Sequence, residues 1–473
     1  MWDFSFLRIG LLNTELEQIS TIFESQKVAF EKGVMASYEA RKNNLLALQK
    51  LIEDNEKSII AALREDLGKS EFEGAISETL FTINEIKHTL KSLKKWMKKR
   101  FHLAPHLQFP AWSWTRPEPL GKVLIISPWN YPFQLLMSPL IGALAAGNVV
   151  ILKPSEIAVA TSKVIAELVP RYFSSDVVSV VEGAVEETQA LLDLPFDHIF
   201  YTGNGSVGRI VMEKAAKHLC PVTLELGGKS PCLVLEADNI SLAAKRIVWG
   251  KFFNTGQTCV APDYILVHES RFDELVDNLK KYITEFFGDN PQMSEDYGRI
   301  ISERHFTRLL DLINPEDVLH GGKGDQKDLY LEPTLVKADF HKKVMEDEIF
   351  GPILPLVKVK SFDEAKQLIF KRPNPLAAYL FSDSNTIIER FVSEIPSGGQ
   401  CINDSIVHLT SPHLPFGGRG ASGMGAYHGK KSFDTFSHTK SIMHRGTFLD
   451  LPVRYPPYKG KLGLIRKLLS WLG

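Results

Sequence analysis

The chain has 473 residues, enough for about three domains of ordinary size. Its 55 Lys and Arg and 56 Asp and Glu leave a net charge of −1, which excludes the basic excess of a dedicated nucleic-acid binder. Hydrophobic residues at 44% and charged residues at 23% exclude wholesale disorder and supply material for large cores.

The four cysteines, Cys220, Cys232, Cys259 and Cys401, form no C-x-x-C pair. That excludes a disulfide scaffold, offers no zinc spacing and fits a reducing compartment, so a cytoplasmic location is expected. Met1 to Arg8 lacks a basic run followed by a long apolar stretch and does not read as a signal peptide. Thr14 to about Lys99 is helical in pattern, with Leu45, Leu48, Leu51 and Ile52 on one face. Asp66-Leu67-Gly68 reads as a helix stop with glycine at the left-handed cap. Lys91 to Arg100 carries six positive charges and no acid, and reads as a solvated helix face.

Residues 102–120, rich in Pro and Trp, read as a connector or an edge strand. Five short apolar strands follow: Lys122 to Ser127, Asn148 to Leu152, Val177 to Val181, His198 to Thr202 and Val222 to Leu226. Helix-length segments separate most of them, the alternation of a parallel sheet covered on both faces. Val123 to Leu152 has no charged residue and is long enough to span a bilayer, but its prolines and glycines suit strand–turn–helix structure better. A second α/β block runs from about Gly227 to Gly429, with helices at 240–253, 271–287 and 362–370 and strands at 264–268, 353–360 and 376–382. Phe433 to Met443 is strand-like, with aromatic and β-branched residues that suit pairing with another element or subunit.

Gly203-Asn204-Gly205-Ser206-Val207-Gly208 follows a strand and opens a helix, the context in which backbone N–H groups meet a pyrophosphate. A plain glycine turn fits the same residues. Cys259 follows Gly256-Gln257-Thr258 at the end of a helical pattern, which suits a nucleophile presented at a turn and equally an inert buried thiol. Glu225 lies among apolar residues at a strand end, where burial raises a carboxyl toward the range of a general base. Asn130, in Pro128-Trp129-Asn130-Tyr131-Pro132, is a candidate donor to an oxyanion, or an Asn satisfying its own turn. Glu348 lies in Glu346-Asp347-Glu348-Ile349-Phe350-Gly351-Pro352.

Taken in order and spacing, these motifs resemble the aldehyde dehydrogenase family. Lys153-Pro154-Ser155-Glu156, Phe200 to Asn204, Leu224 to Lys229 and Pro415-Phe416-Gly417-Gly418 belong to the same set. Gly423 to Lys430, followed by Phe433 to Ser437, resembles the class 3 or fatty aldehyde dehydrogenase branch in particular, and the likeness spans roughly residues 25–457. The resemblance implies an α/β fold with a Rossmann-type parallel-sheet cofactor domain, a second α/β catalytic domain and a small bridging strand element. The corresponding spans are 1–98 and 124–226 for cofactor binding, 227–430 for catalysis, 99–123 and 431–458 for bridging and oligomerisation, and 459–473 for a terminal amphipathic helix.

It also implies roles. Cys259 is the nucleophile, Glu225 the general base, and Asn130 with the Cys259 N–H the oxyanion site. Lys153 and Glu156 contact the adenosine ribose, and Gly203, Asn204, Gly205, Ser206, Val207 and Gly208 lie against the pyrophosphate. Glu348 and Phe350 position the nicotinamide ribose and ring. Gly205 departs from the small hydroxyl residue common in the family and keeps the close backbone approach. The implied reaction is NAD-dependent oxidation of an aldehyde to its acid through a cysteine thiohemiacetal and thioester, with NADP also accommodated. Medium- to long-chain aliphatic or aromatic aldehydes and a homodimer are the expected substrates and assembly. An acylating or reductive relative that hands the thioester to coenzyme A or phosphate, or a non-catalytic module of this fold, are the alternatives. Tyr131, Trp249 and Phe253 flank the catalytic motifs and fit either an apolar tunnel or core packing. Lys459 to Gly473 places Leu462, Ile465, Leu468, Leu469 and Leu472 on one helical face beside Lys461, Arg466, Lys467 and Trp471. That face suits docking on the protein or across a dimer, or peripheral membrane contact.

Overall fold

The computed structural model describes residues 14–105 and 108–472. The expectation for Met1 to Arg8 lies outside the described residues. So does that for the side chains of Leu468, Trp471 and Leu472.

Two sheets organise the molecule. The first has six strands in the order Gly423–Met424, Val222–Glu225, His198–Thr202, Lys122–Ile126, Val149–Lys153, Val178–Val180. All neighbours are parallel except Gly423–Met424, which runs antiparallel along Val222–Glu225. Chain order reverses between Lys122–Ile126 and His198–Thr202, so a crevice opens beyond Ile126 and Thr202. Ser127 to Asn130 and Gly203 to Gly208 leave the sheet at that crevice.

The uncharged stretch from Val123 to Leu152 is strand, helix, strand. Its helix, Gln134–Ala146, is buried on every side, between the sheet and the helices Tyr38–Leu67, Leu80–Trp96 and Gly429–Thr435. A side chain at Gly142 would collide with Ser432, so glycine there sets how closely the last of these approaches. Among the described residues no helix is long and apolar enough to cross a membrane. The helix Tyr38–Leu67 is capped by Ser37, which accepts from Ala40 N, and stops at Gly68 with φ 67°.

The second sheet has seven strands in the order Val318–His320, Thr334–Lys337, Ile353–Val359, Tyr264–His268, Pro231–Val234, Ala377–Phe381, Gly399–Ile402, antiparallel only at the first pair. A third, antiparallel sheet joins Arg100–His102, Ala111–Pro119 and Ser437–Arg445.

Two sequence expectations need correction. Ala111–Pro119 is the middle strand of its sheet rather than an edge; Arg100–His102 pairs only with Ser113 to Thr115, so Pro117 and Pro119 lack a ladder partner on that side. Phe433 to Met443 is not one strand. Gly429–Thr435 is helical, because Phe433 and Phe436 turn into the core, Phe433 against Trp96 with centroids 5.7 Å apart, and the strand begins at Ser437.

Candidate active site

The helix Ile240–Phe252 ends in an uncommon turn. Asn254, Thr255 and Gly256 all have positive φ, at 50°, 55° and 72°. A side chain at Gly256 would strike the Gly351 carbonyl. The turn is held from three directions. Asn254 N donates to Glu73 Oε1 (2.9 Å), and Asn254 Nδ2 donates to the Asn130 carbonyl (2.8 Å). Gln257 Nε2 donates to the Arg299 carbonyl (2.9 Å), and Gln257 Oε1 accepts from Ile301 N (3.0 Å). Cys259 emerges from this scaffold half-buried.

Asn130 sits on the opposing loop, 2% exposed. Its Nδ2 donates to the Gln257 carbonyl (3.0 Å), which pins one N–H and leaves the second to serve a ligand. Beneath the loop lies a fully buried ion pair, Lys69 with Glu78 at 2.6 Å. Lys69 Nζ also donates to the Asn130 carbonyl (3.1 Å), and Glu78 Oε2 accepts from Phe133 N and Gln134 N.

Glu225 ends its strand 2% exposed, and neither carboxylate oxygen has a hydrogen-bond partner. Burial pushes its pKa well above the carboxylate range. Cys259 is likewise pushed up, first by burial and then by the charges of Glu348 and Glu225, against stabilising N–H groups of Cys259 and Val260. The two glutamates and the thiol therefore share one site.

Glu348 rests against Gly227 and Gly228. A side chain at Gly227 would collide with its carboxylate, and the Gly228 N–H hydrogen-bonds it. Burial, with nearby Asp263, raises Glu348 to about 8. Lys229 staples this segment in place: its Nζ reaches Asp263 Oδ2 (2.6 Å) and the carbonyls of Val344 (2.9 Å) and Asp347 (2.8 Å). Asp263 Oδ1 in turn accepts from Ile349 N (3.0 Å). Phe350, at φ 52°, faces Trp129 with centroids 5.3 Å apart.

Further along the crevice, Lys153 is buried at its strand's end, with Nζ 2.8 Å from the Pro154 carbonyl and 3.5 Å from Glu156 Oε2. Asn204 caps the helix Gly205–Ala216 by accepting from Val207 N (2.9 Å). Ser206 is exposed on its first turn, and Gly208 packs against Leu226. A side chain at Gly203 would collide with the Tyr201 hydroxyl. An open first turn with no Cβ at Gly203, Gly205 or Gly208 fits a dinucleotide pyrophosphate.

Tyr131 is buried with its hydroxyl on Thr258 Oγ1 (2.6 Å), so it braces the segment that carries Cys259. Trp249 is 36% exposed and packs on Phe253 at 5.5 Å, at the surface just before the turn. Sequence reasoning missed Lys69, Glu73, Glu78 and Asn254, and it missed Lys229 with Asp263. Apart from the neutral Asn254, their signal was charged residues at core-facing positions, which a single sequence does not separate from surface charge.

The aldehyde dehydrogenase family model matches residues 11–442. The chain belongs to this family. The 4,4'-diaponeurosporen-aldehyde dehydrogenase of Staphylococcus aureus is 48% identical over 447 residues, 94% of this chain and 97% of that one. The dimeric NADP-preferring aldehyde dehydrogenase of Rattus norvegicus is 47% identical, over 94% of this chain and 99% of that one. Among solved structures, a substrate-bound state of Staphylococcus aureus AldH matches with TM-score 0.94 at 47% identity, covering 95% of this chain and 99% of that one. This aldehyde dehydrogenase is an oxidoreductase that converts aldehydes to carboxylic acids.

Proposed function

We propose that this aldehyde dehydrogenase works through Cys259, Glu225 and Asn130. The observation that carries the reading is their convergence: a thiol on a left-handed turn, a buried carboxylate with no partner, and an amide with one N–H fixed and one free. Cys259 loses its proton and attacks the aldehyde carbon, forming a carbon–sulfur bond. The Asn130 N–H and the Cys259 N–H receive the charge that develops on oxygen, where loss of one such donor typically costs about 100- to 1,000-fold in rate. A bound oxidised nicotinamide supplies the hydride acceptor. Glu225 then takes a proton from water as that water attacks the thioester, and the acid leaves as the thiol is restored. A carboxylate held near the thioester favours hydrolysis over transfer to coenzyme A or phosphate.

The cofactor is NAD, with NADP accommodated. Lys153 and Glu156 hold the adenosine ribose, Gly203 to Gly208 the pyrophosphate, and Glu348 and Phe350 the nicotinamide end. The Glu156 carboxylate suits a ribose hydroxyl and disfavours a 2′-phosphate. Medium- to long-chain aliphatic or aromatic aldehydes are the substrates, entering past Trp249 and Phe253. All four cysteines are free thiols, in keeping with the cytoplasm. A homodimer forms through the open edge of Ser437–Arg445, an assembly also carried in the name of the rat relative. On the terminal helix Leu462–Leu472, Leu462, Leu464 and Leu469 are exposed. A second subunit covers it. Loss of vesicle binding on truncation after Tyr458 would assign that face to a membrane instead.

The test is absorbance at 340 nm with hexanal, decanal and benzaldehyde, each with NAD and NADP. Product formation that disappears in Cys259→Ala supports the reading; turnover that survives the substitution rejects it.

A further inference from the structure

The Asn254 side chain lies wholly inside the protein, 1% exposed, at φ 50° on the turn before Cys259. Its Nδ2 carries paired N–H donors, and both find carbonyl oxygens. One is the Asn130 carbonyl at 2.8 Å, on the loop that follows the strand Lys122–Ile126. The other is the Gln257 carbonyl at 3.2 Å, on the segment that carries Cys259. The Gln257 carbonyl accepts in addition from Asn130 Nδ2 at 3.0 Å. These contacts close a ring. Asn254 holds the Asn130 main chain, Gln257 holds the Asn130 side chain, and the Asn254 amide ties the two carbonyls together. Asn130 at 2% and Gln257 at 0% exposure seal the ring from bulk water.

We propose that Asn254 is a positioning residue for the oxyanion site, joining the Asn130 amide to the Cys259 segment so that the two move as one body. Asn130 belongs to the first sheet's crevice, whereas Cys259 follows the helix Ile240–Phe252 of the second block. An oxyanion donor works only where its N–H meets the oxygen as the carbon–sulfur bond forms, and a misplacement of about 1 Å can cost about 100-fold in rate. Without the tie, that placement depends on packing between the blocks. Lys69 Nζ also reaches the Asn130 carbonyl (3.1 Å), but its charge partner is Glu78, not the Cys259 segment. Asparagine suits the position twice over. It tolerates the left-handed backbone better than most side chains, and it brings paired donors to paired acceptors, where aspartate would bring oxygen against oxygen.

Loss of the amide orphans neither carbonyl. Asn130 keeps Lys69, and Gln257 keeps Asn130 Nδ2. The turn keeps Asn254 N on Glu73 (2.9 Å), and the Asn254 carbonyl keeps Gln257 N (3.0 Å) and Nε2 (3.2 Å). Asn254→Gly therefore removes the tie alone, and glycine adopts φ 50° without strain.

The proposal rests on Asn130 as the oxyanion donor, and the experiment separates the two. Steady-state kinetics with decanal and NAD are measured for wild type, Asn254→Gly, Asn130→Ala and the Asn130→Ala/Asn254→Gly double variant. Iodoacetamide labelling of Cys259 is timed on each by mass spectrometry. Alkylation forms a carbon–sulfur bond and expels iodide with no carbonyl oxygen to stabilise, so it reads the turn without the oxyanion site. Asn254→Gly is expected to lower kcat about 10- to 100-fold, with labelling and the KM for NAD and decanal kept within about threefold. The double variant is expected to be no slower than Asn130→Ala. Unchanged kcat in Asn254→Gly, or losses that multiply in the double variant, overturn the proposal. Labelling that falls in step with kcat, or failure of Asn254→Gly to fold, also overturns it and leaves the side chain with the turn alone. Full turnover in Asn130→Ala would instead overturn the reading it rests on.

Discussion

Lys251 gives the sharpest test of the electrostatics, because removing its charge is expected to stabilise the protein. It lies on the helix Ile240–Phe252 that leads into the Asn254–Gly256 turn, is fully buried, and has no hydrogen-bond partner for Nζ. Burial lowers its pKa from 10.5 to about 8, opposed by Asp263 and Glu348 and reinforced by Lys229. At about 1.4 kcal/mol per tenfold change in proton affinity, that drop is worth about 3 kcal/mol. Below pH 8 the folded chain must carry a buried ammonium that the unfolded chain solvates freely. The penalty is therefore complete below pH 8 and fades as pH rises to 10.5. Lys251→Met keeps most of the volume and removes the charge. Urea unfolding followed by tryptophan fluorescence should show the variant more stable at pH 7 by up to about 3 kcal/mol, with the gap closing toward pH 10.5. A variant less stable at pH 7, or a gap that does not change with pH, would refute the reasoning.

Other substitutions address the site directly. Asn130→Ala should lower kcat about 100- to 1,000-fold with substrate binding largely kept, read by steady-state kinetics; a loss confined to KM would remove Asn130 from the oxyanion site. Gly227→Ala should push Glu348 off its backbone seat and raise the KM for NAD about tenfold, on the order of 1.4 kcal/mol; calorimetric binding with unchanged affinity would count against that seat. Because burial raises both Cys259 and Glu225, and each acts deprotonated, kcat/KM should climb from pH 7 to pH 9. A profile falling over that range would contradict the assignment. Gly256→Ala adds a Cβ that meets the Gly351 carbonyl at positive φ, so little active protein is expected, judged by iodoacetamide labelling of Cys259.

Much of this was legible in the residues. The strands flanking the dinucleotide motif have strong apolar runs, and the first five fall within a residue or two of where the pattern puts them. Pro231–Val234, Thr334–Lys337 and Gly399–Ile402 were not read, since each is only four residues long and rests on neighbouring strands rather than its own periodicity. The helix Glu303–Leu310 was also missed; five of its eight residues are polar or charged, and only Phe306 and Leu309 are buried. Glu225, Cys259 and Asn130 were visible through their motifs. What supports them was not: Glu73 and Asn254 are 181 positions apart, and no local pattern announces that hydrogen bond.

The left-handed turn before Cys259 has a consequence for assembly order. Two of its three residues carry side chains that disfavour positive φ, a strain of about 1 kcal/mol or more each, so the turn does not persist alone. Its contacts come from Glu73 in the N-terminal helices, Asn130 beside the first sheet, and Arg299 and Ile301 beside the second. Cys259 therefore acquires its setting only after both halves of the molecule have met. Attack by Cys259 on a mild electrophile would time the last joining event of biosynthesis, and a chain halted midway would carry the thiol without its reactivity.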